Sequence, residues 1–249
     1  MRRILRPGRL GLIRSIHDVL FLAEIEERKI TMHARLFQTV ILVLSVLLIC
    51  PMSVSAEDLK MIQLLKPQIE GGRPLMQVLN DRKSTRDFSK EVLTIRVLSD
   101  MLWAAFGVNR PETGQRTAPS ASNRQEIEIY VSTAEGLYLY DAEDHALQPV
   151  LAGDLRSKTG VQPFVGSAPV NLVYVADFSR MTDATDEDKV FYSAADTGFI
   201  SQNVYLYCAS EGLATVVRGL VNRPALARAM KLRSEQKIML AQSVGYPKK

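Results

Sequence analysis

Cysteine and histidine are almost missing from this chain of 249 residues, which carries two Cys and three His. Only Cys208 and His145 fall after residue 56. One cysteine cannot form an internal disulfide. One His with one Cys excludes a zinc site of the usual ligand spacing. No G-x-S-x-G elbow, P-loop or G-x-G-x-x-G turn is present, so the sequence offers no hydrolase or dinucleotide fingerprint. His145 lies in a polar turn and reads as exposed rather than catalytic.

A net charge is also missing once the first segment is set aside. The whole chain carries a formal charge of +4. Residues 1–56 hold eight Lys/Arg and four Asp/Glu, which leaves 23 of each in the rest. The basic character therefore belongs to the leader, and nothing in the remainder argues for nucleic-acid binding.

No apolar run reaches membrane-spanning length. Residues 36–49 are uncharged but only 14 long, short of the roughly 20 that a span needs. Arg35 precedes this run and Val54-Ser55-Ala56 follows it. A positive, then apolar, then small-residue order predicts a secretory signal peptide over 32–56, cleaved after Ala56, with export to the periplasm. Residues 1–31 then read as an over-extended start or leader before Met32. The competing reading is a basic cytoplasmic tail with one anchoring helix. Ile49 before Cys50 fits a lipoprotein site poorly. Residues 57–249 suffice for one domain, stabilised by its core rather than by disulfides.

Within that domain the patterns alternate. Residues 57–70 read as an irregular or short helical entry. Leu75, Val78 and Leu79 give helical spacing up to Asp81. Thr94 caps a helix through Ile95, Leu98, Leu102 and Phe106, ended by Gly107. Trp103 and Phe106 fall on its apolar face and read as core or dimer contact. Residues 109–122 are Pro/Gly/Ser/Thr-rich and read as loop. Ile127–Ser132 and Leu137–Tyr140 predict a hairpin around Glu135-Gly136. Val170–Ala176 predicts a buried central strand. Asp177–Asp188 is an acidic, solvated connection. A long helix follows to Glu211, with small residues Ala194, Ala195, Gly198, Ser201 and Ala209 that suit close helix approach. Thr215–Arg218 and Lys237–Val244 predict strands, and Pro224–Met230 a helix. The class is α+β.

Two segments carry the chemistry. Arg82-Lys83-Ser84-Thr85-Arg86 packs three cations and two hydroxyls into five residues, which suits a phosphate and a polyol. Pro119-Ser120-Ala121-Ser122-Asn123-Arg124-Gln125 offers Ser/Asn/Gln groups suited to the edge of a heterocycle. Each alone is equally a solvated loop or a turn. With the Gln202-Asn203 pair, the Glu211-Gly212-Leu213 turn and the Gly245-Tyr246-Pro247-Lys248 terminus, their order resembles the nitroreductase-like flavoprotein family from about Leu75 to Lys249.

That resemblance implies a layered α+β fold, with helices flanking a central mixed, mainly antiparallel sheet, and a homodimer. It implies bound FMN, held by Arg82, Ser84 and Arg86 at the ribityl chain and phosphate. Lys83 replaces the family's second Arg and would point to solvent. Pro119, Ser120, Asn123 and Gln125 would come from the partner subunit. Glu211 and Leu213 flank Gly212, whose backbone N–H would face flavin N5. Lys248 would close on the phosphate. The implied activity is ping-pong hydride transfer from a donor to a small nitro, quinone or azoline-type acceptor, without metal. The Asn123–Ile127 loop and the Gly136–Asp141 hairpin are similar to the thiazoline-oxidase-like branch. A non-catalytic FMN carrier and a flavin-free interaction domain stay open.

Overall fold

The order along the chain is β1 (Ile62–Gln63), α1 (Leu75–Asp81), α2 (Ile95–Phe106), β2 (Val108–Arg110), β3 (Gln115–Arg116), β4 (Ile127–Ser132), β5 (Gly136–Asp141), β6 (Ala146–Ala152), β7 (Val170–Asp177), α3 (Asp186–Glu211), β8 (Ala214–Arg218), α4 (Arg223–Ala229) and β9 (Gln236–Gly245). This computed structural model describes residues 59–249 and the isolated Met32. Met32 apart, the segments expected at 1–31 and 32–56 lie outside the described residues.

Seven strands form one sheet in the order β1-β6-β5-β4-β7-β9-β8. All six pairings are antiparallel. β7 lies inside the sheet between β4 and β9, and every one of its eight residues is buried. Its continuous apolar run follows from cover on both faces. Leu172 and Tyr174 pack with Leu102 and Phe106 of α2 and with Val204 and Cys208 of α3. Val173 and Val175, pointing the other way, pack with Leu226 of α4 and Met230. Alternate residues of a strand face opposite sides, so a strand covered twice is apolar on both, and its interior polar residue Asn171 is satisfied by Val165 O, Arg218 and Ser243. Each such side chain contributes about 1.5–3 kcal/mol by leaving water.

α3 is the organising helix. Thr185 accepts a hydrogen bond from the Asp188 N–H at 3.1 Å, and Asp186, Glu187 and Asp188 fill the first turn, where the helix dipole favours anions. Gly212 ends it with φ +68°, a left-handed conformation that glycine adopts without penalty.

Three stretches differ from expectation. Residues 59–70 hold β1 and then an extended strap, because Leu65 N–H finds Ser99 Oγ at 2.9 Å and Gln68 N–H finds Asp100 Oδ1 at 3.0 Å. The loop at 109–122 contains the small β2–β3 ladder. A further strand, β6, continues the hairpin into a meander. Asp177, expected on a solvated face, is 4% exposed and meets Arg233 Nη2 at 2.6 Å. His145 is not free either. Its Nδ1 lies 2.9 Å from Tyr140 Oη and its Nε2 3.0 Å from Leu65 O, so the ring clasps the strap to β5.

Candidate functional site

The first basic segment leaves α1 and runs between β8 and the chain terminus. The N–H of Arg82 caps α1 on Val78 O, and its guanidinium lies 5.4 Å from the Tyr205 ring centroid. Ser84 Oγ and Tyr205 Oη are 2.8 Å apart. Thr85 N–H donates to Thr215 O at 2.8 Å, Ser89 N–H to Tyr246 O at 2.9 Å and Lys248 N–H to Asp87 O at 3.2 Å. These bonds bring residues 82–89, the start of β8 and the Gly245–Lys248 terminus into one place.

A cleft of about 550 Å³ opens there. Lys83, Thr85, Tyr205, Gly212, Thr215 and Pro247 are among its lining residues. Lys83, expected to point to solvent, is exposed yet borders this cleft. Among the described residues, Arg82, Lys83, Arg86 and Lys248 enter no ion pair, whereas Arg73 and Arg96 each hold an aspartate. Cations left without carboxylates beside hydroxyls fit a phosphate and a polyol. The size is that of an ordinary small-ligand site.

Gly212 also borders the cleft, but its N–H is already committed. It donates to Cys208 O as the helix cap, and Leu213 N–H reaches the same carbonyl at 2.8 Å. Within the single chain the N–H expected at flavin N5 thus serves as the helix cap, at the edge of the cleft. Glu211 is exposed, and Ser210 Oγ donates to its Oε1 at 3.1 Å. Its place is the rim of a second cleft of about 550 Å³, between the strap, α2 and α3, where Trp103 and Tyr207 also lie. Cys208 is fully buried, and burial pushes its thiol up to about 12, which leaves it inert.

Pro119–Gln125 forms a tightly tied loop. Ser122, Asn123 and Gln125 have φ of 54°, 53° and 50°, a region costing roughly 1–2 kcal/mol per ordinary L-residue. The ties offset this strain. Gln125 N–H donates to Ser120 Oγ at 2.9 Å, and Gln125 Nε2 to Gly114 O and Asn123 Oδ1. Arg124 grips Asp183 with two bonds of 3.1 and 2.8 Å. Ala121 N–H donates to Asp196 Oδ2 at 2.9 Å.

The two segments do not converge within one chain. The loop sits at Asp196 and the basic segment at Tyr205, nine positions along α3. At 1.5 Å per residue that is about 14 Å. Sequence reasoning missed Tyr205, whose Oη also accepts from Val217 N–H at 2.9 Å, and the buried Glu126–Asp196 pair. No local signal marked Tyr205; it is one aromatic among many on a helix.

A profile of the nitroreductase family matches residues 79–246. A protein of Methanocaldococcus jannaschii, a nitroreductase by name only, is 32% identical over 169 residues, covering 64% of this chain and 85% of its own length. A crystal structure from Ralstonia eutropha JMP134, likewise a nitroreductase by name only, superposes with TM-score 0.74 at 46% identity, covering 76% of this chain and 90% of that one. A Desulfovibrio desulfuricans structure in complex with FMN superposes with TM-score 0.52 at 20% identity, over 72% of this chain and 89% of that one. The last likeness speaks to the fold alone.

Proposed function

The chain belongs to the nitroreductase family and is a flavin oxidoreductase in general terms; from there we propose an FMN-dependent enzyme that passes two electrons from a donor to a small organic acceptor of nitro, quinone or azoline type. The observation that carries this reading is the cleft lined by Lys83, Thr85, residues 212–215 and Pro247, which Arg82, Arg86 and Lys248 adjoin in sequence without an ion pair among the described residues. Arg82, Arg86 and Lys248 would hold the phosphate, and Ser84 and Thr85 would meet the ribityl hydroxyls. When bound, the flavin supplies hydride transfer in both half-reactions. The protein supplies position and a pocket that donor and acceptor occupy in turn.

The reading includes a homodimer. α3 exposes Val190 (55%), Phe191 (66%) and Phe199 (49%). Between them stand Ala194 and Gly198, and a Cβ added at Gly198 would meet nothing within 4 Å. Such a face suits a second helix at close range. Two copies crossing antiparallel near the middle of α3 would bring Asn123 and Gln125 of one toward Arg82 and Arg86 of the other. A flavin site shared by two subunits accounts for the separation of the segments within one chain.

Export to the periplasm belongs to the same proposal, on the 36–56 pattern. Pyridine nucleotides are scarce outside the cytoplasm, so the donor would be a quinol or a thiol-type substrate. Detection of uncleaved chain in the cytoplasm would remove this part.

Steady-state kinetics test the proposal. An enzyme reduced by a donor and reoxidised by an acceptor gives parallel double-reciprocal lines. Reversible FMN release with no such cycle would instead favour an FMN carrier.

A further inference from the structure

Beneath the Pro119–Gln125 loop lie two buried carboxyl groups that the flavin reading does not use. Glu126 is fully buried, and Asp196 of α3 is 3% exposed. Among the described residues neither forms an ion pair. Both carboxyl oxygens of Glu126 lack a hydrogen-bond partner, and its polar neighbours are the Ser193 hydroxyl and the Asp196 carboxyl. Asp196 Oδ2 accepts the Ala121 N–H at 2.9 Å and so anchors the first turn of the loop. Glu126 follows the loop directly, and its carbonyl accepts the Asp177 N–H at 2.8 Å. The Asp196 side chain thus ties the strained loop to α3, and the Glu126 backbone ties its end to β7, with the Glu126 carboxyl enclosed between them.

Two negative charges cannot share such a place without a large loss of hydration. Burial pushes Glu126 upward, and the Asp196 charge adds to it. Burial likewise raises Asp196, partly offset by the Ala121 N–H and by the nearby Arg124 guanidinium. A proton held by one of the two resolves the conflict. The surrounding charges have other partners, although the Arg124 guanidinium also pulls weakly on this pair. Arg124 of the loop holds Asp183. Glu128 of β4 holds Arg180 and Gln236. Asp177 at the end of β7 holds Arg233 and Ser179. α3 contributes Tyr192, Ser193 and Thr197, none of them a cation.

We infer that Glu126 and Asp196 are positioning residues whose shared proton keeps the Pro119–Gln125 loop in its binding shape, and that its loss as pH rises loosens the loop and the grip on the cofactor. The step is proton release to solvent, with no change in oxidation state. Its second half rests on the FMN reading; its first half does not. For acids held above their usual range, the folded chain retains a proton that the unfolded chain has lost. The contribution is full below the ordinary carboxylate range and declines as pH rises toward the folded titration. Asp177 and Asp183, both held below the usual value, stay ionised throughout that window.

The test uses the full-length chain and Glu126→Gln, between about pH 5.5 and 8.5, above the ordinary carboxylate range. Hydrogen exchange of the peptide spanning 119–126, corrected for intrinsic rate, reports the loop; fluorescence titration reports the FMN Kd. The wild type should lose loop protection and bind FMN more weakly with rising pH, by up to about tenfold per unit for one linked proton. Glu126→Gln should flatten both curves. Asp196→Asn keeps an oxygen for Ala121 and should flatten them too, and it replaces Glu126→Gln if that variant does not fold. Equal pH slopes in wild type and variants, whatever their absolute protection, would overturn the inference. Absence of FMN binding at every pH would overturn the cofactor half alone, because loop exchange still decides the carboxyl pair.

Discussion

Ser84 Oγ and Tyr205 Oη sit 2.8 Å apart, and through this contact α3, the longest helix among the described residues, holds the basic segment at its cleft. Tyr205 is 7% exposed, and its Oη also takes the Val217 N–H. Tyr205→Phe strands that N–H and frees Ser84. A buried group left unsatisfied costs about 1–3 kcal/mol. Thermal unfolding should show a loss of that size, and FMN titration a weaker Kd. A variant as stable as wild type would show that the contact is not formed in solution.

Removing cations from the segment should weaken cofactor binding without unfolding the chain. Arg82→Ala and Arg86→Ala each delete a charge-assisted donor, worth about 1.5–3 kcal/mol, or about ten- to more than a hundred-fold in Kd. Lys83→Ala should matter less, since Lys presents one point charge rather than a fork. The Kd of the wild type should rise with salt. Salt-independent binding would place the anion elsewhere.

His145 sets an acid limit on the strap. Burial lowers its affinity for a proton, against a weaker opposing pull from Leu65 O. The folded chain therefore binds fewer protons there than the unfolded chain. Its contribution is complete above the ordinary histidine value of about 6.5 and is lost as pH falls. Scans at about pH 7.5 and 5.5 should show a smaller acid loss of Tm in His145→Gln than in wild type. An unchanged acid loss would mean that the clasp does not form.

Gly212→Ala should cost about 1 kcal/mol through its left-handed backbone alone. A Cβ there would meet nothing within 4 Å, so no packing loss adds to it. Chemical denaturation gives the value. A much larger loss would reveal a contact at this cap beyond the backbone angle.

Most elements were legible because periodicity and caps act locally. Thr94 and Gly107 bound α2 as expected, and the run at 170–176 became the doubly covered β7. The elements that escaped were made by distant partners. The strap owes its path to Ser99, Asp100 and His145, and β6 to a ladder with β5; neither shows in its own composition. The candidate site was half legible. Cations and hydroxyls of residues 82–86 announce an anion wherever they stand, and they line or adjoin one cleft. The role expected of Gly212 is not legible locally because hydrogen-bond allegiance is a matter of geometry: a glycine at a helix end reads the same whether its N–H is free or caps the last turn. Glu126 reads as one more charge at a strand edge, and only the fold reveals that it is enclosed beside a second carboxyl.

The most direct test of the central claim is the visible absorption spectrum of the purified full-length chain, with mass analysis of whatever heat releases. The account predicts flavin bands and released FMN, or their appearance once FMN is added. A colourless protein that takes up no added FMN would contradict it.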